Sequence, residues 1–481
     1  MIRFFYRVVA GIAVLGVLHA EEGKIPITTS SQEAREHFLA GRTLVDNLRL
    51  TDAAPHFQKA VELDPGFALA HLYMAQTAPT AKEFFAQLKE AGELSAKASE
   101  GEQLWIDGAR AGAYADPVSQ LKAYEKLAEN FPRDERAQTL LGIAYFAQQK
   151  YDAAADNLKR ATEINPAFAP AYNQLGYAYR FLDMYGESEQ AFRRYTELIP
   201  DDPNPYDSYA ELLLKMGRFE ESIAQYRKAL EINRYFANSY TGIAAAYAYQ
   251  GKHTQAREVL ATALDLARTD GERRAALFAM TVIYLDEGKT QRALAEVQKQ
   301  FDLGKRINDA AAMAGDLVLR GNILLEEGKA DDAGKEFAKA AEMIKKSHLA
   351  VEVRENAALI YHYNAGRAAV GKHDLAEATK EAEIFRKGTE IKKNINQIRL
   401  ANELDGTIAL EARDYQHAVD HLLQANQQNP YNLYRLAVAY QALGKAADAR
   451  TFSSRAARFN VLPLPNYAFV RMKAQRMMDT M

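Results

Sequence analysis

Cysteine is absent from this chain of 481 residues. Without cysteine there are no disulfide bonds, no thiolate metal ligands, no thiol nucleophile and no lipid-modified cysteine behind a signal peptide. If the protein is exported to an oxidising compartment, its stability there must come from packing alone.

An excess of charge of either sign is also missing. The 60 basic residues are balanced by 63 acidic ones, which leaves a formal net charge of −3. Such a balance gives no bulk attraction to nucleic acid or to an anionic membrane surface. The apolar fraction of 48% and the charged fraction of 26% are ordinary for a soluble folded protein. We therefore expect no nucleic-acid partner, and membrane contact only through the N-terminal segment described below.

Sequence patterns that indicate catalysis are missing as well. No segment has the pattern of a strand that could precede a serine nucleophile turn, and the 27 glycines fall singly rather than in a phosphate-binding loop. One metal-like spacing occurs, at His417 and His421, but Ala418 stands where a zinc-protease helix carries glutamate, and no third ligand is near. We therefore predict no catalytic residues, no metal, no cofactor and no small-molecule substrate. Among the functions considered for this chain, a hydrolase within the irregular region 271–400 is the alternative that we rank last.

Long apolar runs are scarce, and the clearest one lies at the N-terminus. Arg3 and Arg7 precede an apolar stretch that ends at Leu18, and small Ala20 suits the residue before a signal peptidase cut. The stretch is short for a bilayer span. We therefore predict a signal peptide over residues 1–20 and a periplasmic or secreted protein. Because Leu18 is large for its place in a cleavage site, an uncleaved inner-membrane anchor is the alternative.

A 34-residue period runs through the rest of the chain. In the clearest repeat it places large apolar residues among small ones and closes with proline: Gln138, Leu141, Gly142, Tyr145, Ala154, Leu158, Ala161 and Pro166. The same positions one period later carry Tyr172, Leu175, Gly176, Tyr179, Ser188, Phe192, Tyr195 and Pro200. Small residues let two helices approach closely, and proline stops the second helix. This pattern resembles the tetratricopeptide repeat (TPR) family, and in particular its exported bacterial members.

The resemblance implies an all-α fold, a right-handed α-solenoid of about twelve helix-turn-helix repeats closed by a C-terminal capping helix. We divide the chain into a linker over residues 21–33, a regular array over 34–270, longer and degenerate repeats over 271–460, and a cap over 461–481. The longer repeats follow from glycines such as Gly288, Gly328 and Gly371, whose spacing exceeds the basic period. A membrane-surface helix is the alternative interpretation of the last segment.

In this family the first helix of each hairpin lines a concave groove that binds extended peptides or partner helices. In each of two such helices, spacings of three and four residues place polar side chains along one stripe. The predicted partner-binding residues are Asn173, Tyr177, Arg180, Asn204, Asp207 and Glu211. We therefore expect an exported, non-enzymatic scaffold that binds peptides or partner proteins in its groove. The alternative is an inner-membrane-anchored factor that assembles envelope enzymes.

Overall fold

A computed structural model describes residues 23–47 and 49–481. The predicted signal peptide at residues 1–20 lies outside these residues. Within them the secondary structure is α-helical, without a strand and with one short 3₁₀ helix at Ser95–Lys97.

The helices of the first half are α1 Gln32–Asp46, α2 Leu50–Leu63, α3 Ala68–Gln76, α4 Ala81–Leu94, α5 Glu100–Ala113, α6 Pro117–Asn130, α7 Glu135–Ala147, α8 Tyr151–Ile164, α9 Ala169–Phe181, α10 Tyr185–Leu198, α11 Pro203–Lys215 and α12 Phe219–Ile232. Those of the second half are α13 Ala237–Tyr249, α14 His253–Leu266, α15 Asp270–Asp286, α16 Thr290–Arg306, α17 Ala310–Glu326, α18 Ala330–Lys346, α19 Val351–Gly371, α20 Leu375–Lys392, α21 Ile395–Glu411, α22 Tyr415–Gln424, α23 Pro430–Ala442, α24 Ala446–Ala457 and α25 Pro465–Asp479.

Consecutive helices pair into hairpins, from α1 with α2 to α23 with α24, which gives twelve hairpins in the described part of the chain. The prediction of an all-α solenoid of about twelve helical hairpins is confirmed. After residue 270 several helices are longer: α15 to α18 each have 17 residues, whereas α7 to α14 have 13 or 14.

Local sequence signals set the helix ends. The Asp202 side chain accepts a hydrogen bond from the Asn204 amide at 3.0 Å, and Pro203 occupies the first turn of α11, where no amide donor is needed. Ser99 and Glu102 form a reciprocal capping box at the start of α5. Between the paired helices the chain turns through a positive φ, which Gly217 and Gly251 adopt at +76° and +77° without a steric cost.

Close helix packing within the hairpins depends on glycine. In α7, a Cβ atom built on Gly142 would lie 2.7 Å from Cγ of Leu158 in α8. The same spacing of 16 residues joins a glycine of the first helix to a large side chain of the second in five further hairpins. These pairs are Gly41 with Phe57, Gly108 with Tyr124, Gly176 with Phe192, Gly321 with Phe337 and Gly406 with Leu422. The large side chain fills the space that the missing Cβ leaves, so each hairpin closes at native packing density.

The array curves with the first helices of the hairpins on its inner side. The first helix of one hairpin contacts the first helix of the next, although a second helix lies between them in the sequence. Examples are α9 with α11, α11 with α13 and α13 with α15. Helices on the inside of a curve crowd together, so these first helices form the concave face. This is the face on which the predicted partner-binding residues lie.

The curvature brings distant parts of the chain into contact. Arg268 before α15 forms an ion pair with Asp52 of α2 at 3.0 Å, and Asp309 before α17 accepts from the Ala81 amide of α4 at 3.1 Å. Further along, Gln149 donates to Asn426 at 2.7 Å, between the fourth and eleventh hairpins. Later hairpins therefore lie against earlier ones, and the concave face lines a channel along the array.

The C-terminal helix lies in this channel. It packs against α23 and α24, and also against α15. Arg471 of α25 donates to Asp286 at the end of α15, with its Nε atom 2.7 Å from Oδ1, and Lys473 forms an ion pair with Glu326 at 2.7 Å. Among the described residues, no helix combines the length and the apolar character needed to cross a membrane.

Candidate functional site

The six predicted residues lie on the neighbouring first helices α9 and α11, and the structure brings three of them together. Arg180 forms an ion pair with Glu211 at 3.1 Å, and its guanidinium carbon lies 4.9 Å from the ring centre of Tyr177. The Tyr177 ring packs edge-on against Phe192, with 5.3 Å between centroids. Arg180 and Glu211 also line a cavity, so these two are the predicted residues that a ligand could reach.

The other three residues are buried, with exposed fractions of 4% for Asn173, 0% for Asn204 and 2% for Asp207. Asn204 donates to the Tyr195 hydroxyl at 2.8 Å. Burial raises the pKa of the Asp207 carboxyl well above its usual range, the nearby Glu211 raises it further, and a 2.6 Å hydrogen bond from Ser239 opposes the shift. Asn204 and Asp207 thus join adjacent hairpins to each other, whereas the buried amide oxygen of Asn173 has no hydrogen-bond partner within the described residues.

A cavity of about 580 Å³ opens between α9, α11 and the C-terminal hairpins. Its lining includes four cationic side chains, Arg180, Lys215, Arg455 and Arg458, and two acidic ones, Asp183 and Glu211. Most of its apolar lining comes from residues 459–464. The cavity therefore combines an apolar surface with a local excess of positive charge.

Residues 459–464, here called the groove segment, connect α24 to α25 without regular secondary structure. Their main chain is held by side chains of first helices: Lys215 of α11 donates to the Phe459 carbonyl at 3.0 Å, and the Tyr249 hydroxyl of α13 donates to the Val461 carbonyl. The Lys215 ammonium also lies 4.5 Å from the centre of the Phe459 ring. Burial, together with the charges of Arg180 and Arg455, lowers the pKa of Lys215 to about 8, and the nearby Asp183 opposes the shift. Two first helices of the concave face thus hold an irregular segment of the same chain by its carbonyl groups.

A second polar cluster in the C-terminal hairpins was not predicted from the sequence. Glu403 of α21 is buried and accepts hydrogen bonds from Tyr363 at 2.9 Å, from Asn432 at 2.9 Å and from Arg435 at 3.1 Å. Burial raises the pKa of Glu403, but the charges of Arg435 and Arg367 and the donors Asn432 and Tyr363 outweigh it, so the pKa lies below its usual value. The sequence feature that could have indicated this cluster is the recurrence of polar residues within first helices that are otherwise apolar.

The two histidines with metal-like spacing do not converge. His417 is exposed and its Nδ1 atom lies 2.6 Å from Asp414. Burial lowers the pKa of His421, and Arg386 lowers it further. Within the described residues, no group of three His, Cys, Asp or Glu side chains is arranged to hold a metal ion.

Models of known protein families match repeats in this chain. A family model described as TPR repeat matches residues 142–180 and 210–251, and one described as tetratricopeptide repeat matches residues 169–202 and 237–270. No curated protein matches the chain. The chain therefore carries tetratricopeptide repeats over residues 142–202 and 210–270, as its sequence pattern predicted.

Several solved structures of repeat proteins are similar to parts of the chain. A tetratricopeptide repeat protein from Parabacteroides merdae ATCC 43184 is 17% identical over 54% of this chain and 99% of its own, with a TM-score of 0.37. MamA is 24% identical over 33% of this chain and 93% of its own, with a TM-score of 0.29. YrrB, described as a TPR protein with an unusual peptide-binding site, is 18% identical over 38% of this chain and 93% of its own, with a TM-score of 0.26. These similarities are too low to support any inference about ligands.

Tetratricopeptide repeats bind protein or peptide partners, and in this general sense the chain is a protein-interaction scaffold. The same repeat architecture is shared by proteins with many different partners, so the residues of the concave face rather than the fold determine which partner binds.

Proposed function

We propose that this protein is an exported, non-enzymatic scaffold that binds extended segments of partner proteins along the concave face between α9 and α15. The observation that carries the proposal is the groove segment, whose carbonyl groups are held by Lys215 and Tyr249. Hydrogen bonds to carbonyl groups do not depend on the sequence bound, so the same donors suit the main chain of another polypeptide. The adjoining cavity, with apolar and cationic side chains in its lining, supplies space for side chains of a ligand.

Site-specific photocrosslinking in the native cell tests this proposal. A photoreactive residue at position 458, which is exposed and lines the cavity, is expected to yield crosslinked partner proteins. The same residue at position 194, exposed on the second helix α10, is the matched control and is expected to yield few. Equal crosslinking from both positions, or none from position 458, would contradict binding at the concave face.

Export is tested separately by the intact mass of the protein isolated from its host. We expect the mass to correspond to loss of the first 20 residues, because the N-terminal segment has the charge and length of a signal peptide. A full-length mass, with the protein in the membrane fraction, would contradict cleavage and support the anchored assembly factor instead.

A further inference from the structure

A small cleft on the concave face lies where the first helices of four consecutive hairpins meet. It has a volume of about 250 Å³, and its lining residues come from α17, α19, α21 and α23. Asn466, in the first turn of α25, also lines it. Sites for drug-sized ligands occupy about 300–1,000 Å³, so this cleft suits a smaller molecule.

The lining of this cleft carries one more positive charge than negative. Its ionised side chains are Arg367, Arg435 and Glu403. Glu403 forms an ion pair with Arg435 at 3.1 Å. Its oxygens also accept hydrogen bonds from three uncharged side chains, those of Tyr363, Asn429 and Asn432. A carboxylate offers about four acceptor sites, so Glu403 is saturated with donors and the charge of Arg367 is left for an incoming anion.

Arg367 is held in the cleft by uncharged groups. Its Nη1 atom donates to the side-chain oxygens of Asn322 at 2.8 Å and of Asn364 at 3.2 Å, and its guanidinium carbon lies 5.4 Å from the centre of the Tyr363 ring. Both hydrogen bonds use Nη1, whereas a guanidinium presents five N–H donors in a planar fork. Since the asparagine oxygens already accept from Arg367, these side chains chiefly offer N–H donors to a ligand. Such a set suits a carboxylate, which accepts two parallel hydrogen bonds from one guanidinium.

Aliphatic side chains complete the lining. Val318 of α17, Ile360 of α19 and Leu400 of α21 line the cleft, and each is partly buried. Apolar surface gains free energy when it leaves water. A ligand that fills the cleft therefore carries a hydrocarbon part beside its anionic group.

We propose that this cleft binds a small monocarboxylic acid, with its carboxylate at Arg367 and its hydrocarbon chain against Val318, Ile360 and Leu400. A single negative charge matches the single positive charge in excess, and the planar carboxylate matches the planar fork of the guanidinium. This site is separate from the proposed partner-binding face between α9 and α15, and it takes a small molecule rather than a polypeptide.

Isothermal titration calorimetry of the full-length protein with 3-methylbutanoate tests the proposal. This acid combines a carboxylate with a branched hydrocarbon chain, and the neutral 3-methylbutanamide has nearly the same shape without the charge. We expect the acid to bind and the amide to bind at least about tenfold more weakly, since hydrogen bonds to a charged group are lost. Inorganic phosphate and a blocked glutamate, with acetylated and amidated ends, are expected to bind more weakly than the acid.

Variants of the cleft locate the binding. Arg367→Gln removes the charge and keeps an amide that can donate to Asn322 and Asn364, and we expect it to weaken binding of 3-methylbutanoate at least about tenfold. Val318→Thr is nearly isosteric but places a hydroxyl on the apolar lining. It is expected to weaken binding several-fold and covers the case in which Arg367→Gln does not fold. Arg160→Gln, which removes an exposed guanidinium from the second helix α8, is the matched control and is expected to leave binding unchanged.

Several results would overturn the proposal. They are absence of binding of the acid at millimolar concentration, equally tight binding of the amide, undiminished binding by either folded cleft variant, or a loss in Arg160→Gln as large as that in Arg367→Gln. Tighter binding of phosphate or of the blocked glutamate also overturns it, and assigns the cleft to a general anion or to an acidic side chain of a partner. Circular dichroism establishes that each variant is folded. Crosslinking from position 458 does not depend on this cleft, so failure of the acid to bind leaves the proposed function standing, and absence of crosslinks leaves this site standing.

Discussion

Replacing Arg435 with methionine is expected to destabilise the C-terminal hairpins by about 3–5 kcal/mol, because the substitution leaves the buried Glu403 carboxylate without its nearest positive charge. In the native protein the two side chains are almost fully buried and 3.1 Å apart. Native-state hydrogen exchange of α21 and α23 is the appropriate measurement, since stability in a repeat array is local and is passed on mainly to neighbouring repeats.

The pH dependence of this loss follows from the pKa of Glu403, which lies below its usual value in the folded protein. A carboxyl group of this kind contributes stability above its unfolded pKa of about 4.3, and that contribution is lost as the pH falls through the folded pKa. In Arg435→Met the folded pKa rises instead, so the variant loses stability as the pH increases. The difference between the two proteins should therefore be larger at pH 7 than at pH 4. A loss below about 1 kcal/mol at pH 7 would contradict the assigned role of the pair.

Gly242→Ala is expected to lower stability by about 1–3 kcal/mol although it adds a single methyl group. A Cβ atom on Gly242 of α13 would lie 2.0 Å from Cζ of Tyr226 in the preceding hairpin. The Tyr226 ring is fully buried, so it has no free space into which it can move. The substitution must therefore push two hairpins apart, and their separation opens the part of the concave face where Tyr249 holds the groove segment.

Gly186→Ala is the matched control for this prediction. Gly186 is exposed in the first turn of α10, and a Cβ atom there would meet nothing within 4 Å. Alanine at such a position is expected to stabilise the helix by about 0.5–1 kcal/mol. Thermal unfolding followed by circular dichroism should thus show a lower Tm for Gly242→Ala and an unchanged or higher Tm for Gly186→Ala. Shifts of the same sign and size would contradict the packing described.

The fold was predictable from the sequence because its determinants are local and periodic. Gly142 and Leu158 lie 16 residues apart in one hairpin, and the same pairing recurs in other repeats. Helix ends are likewise signalled by neighbouring residues, as at Asp202 and Pro203. Each hairpin is specified by about one period of sequence, so the pattern alone indicates the architecture and the number of repeats.

The site was predictable only in part, because it depends on contacts between remote segments. The sequence pattern identifies Arg180 and Glu211 as residues of one stripe, and the structure pairs them beside the cavity. Nothing near Lys215 in the sequence signals that its ammonium meets the carbonyl of Phe459, which lies 244 residues away. Burial of Asn204 and Asp207 likewise depends on the curvature of the array, which a repeat pattern leaves undefined.

The position of the C-terminal helix in the channel of its own chain is tested most directly by crosslinking. Zero-length carbodiimide crosslinking joins a lysine to a carboxylate only when the two are in contact, and mass spectrometry then identifies the linked peptides. We expect a link between Lys473 and Glu326 within monomers, together with the positive-control link between Lys24 and Glu135, which also form an ion pair. If the control link forms while Lys473 and Glu326 are unlinked, or are linked only between differently labelled copies, the helix does not occupy its own channel and the account is contradicted.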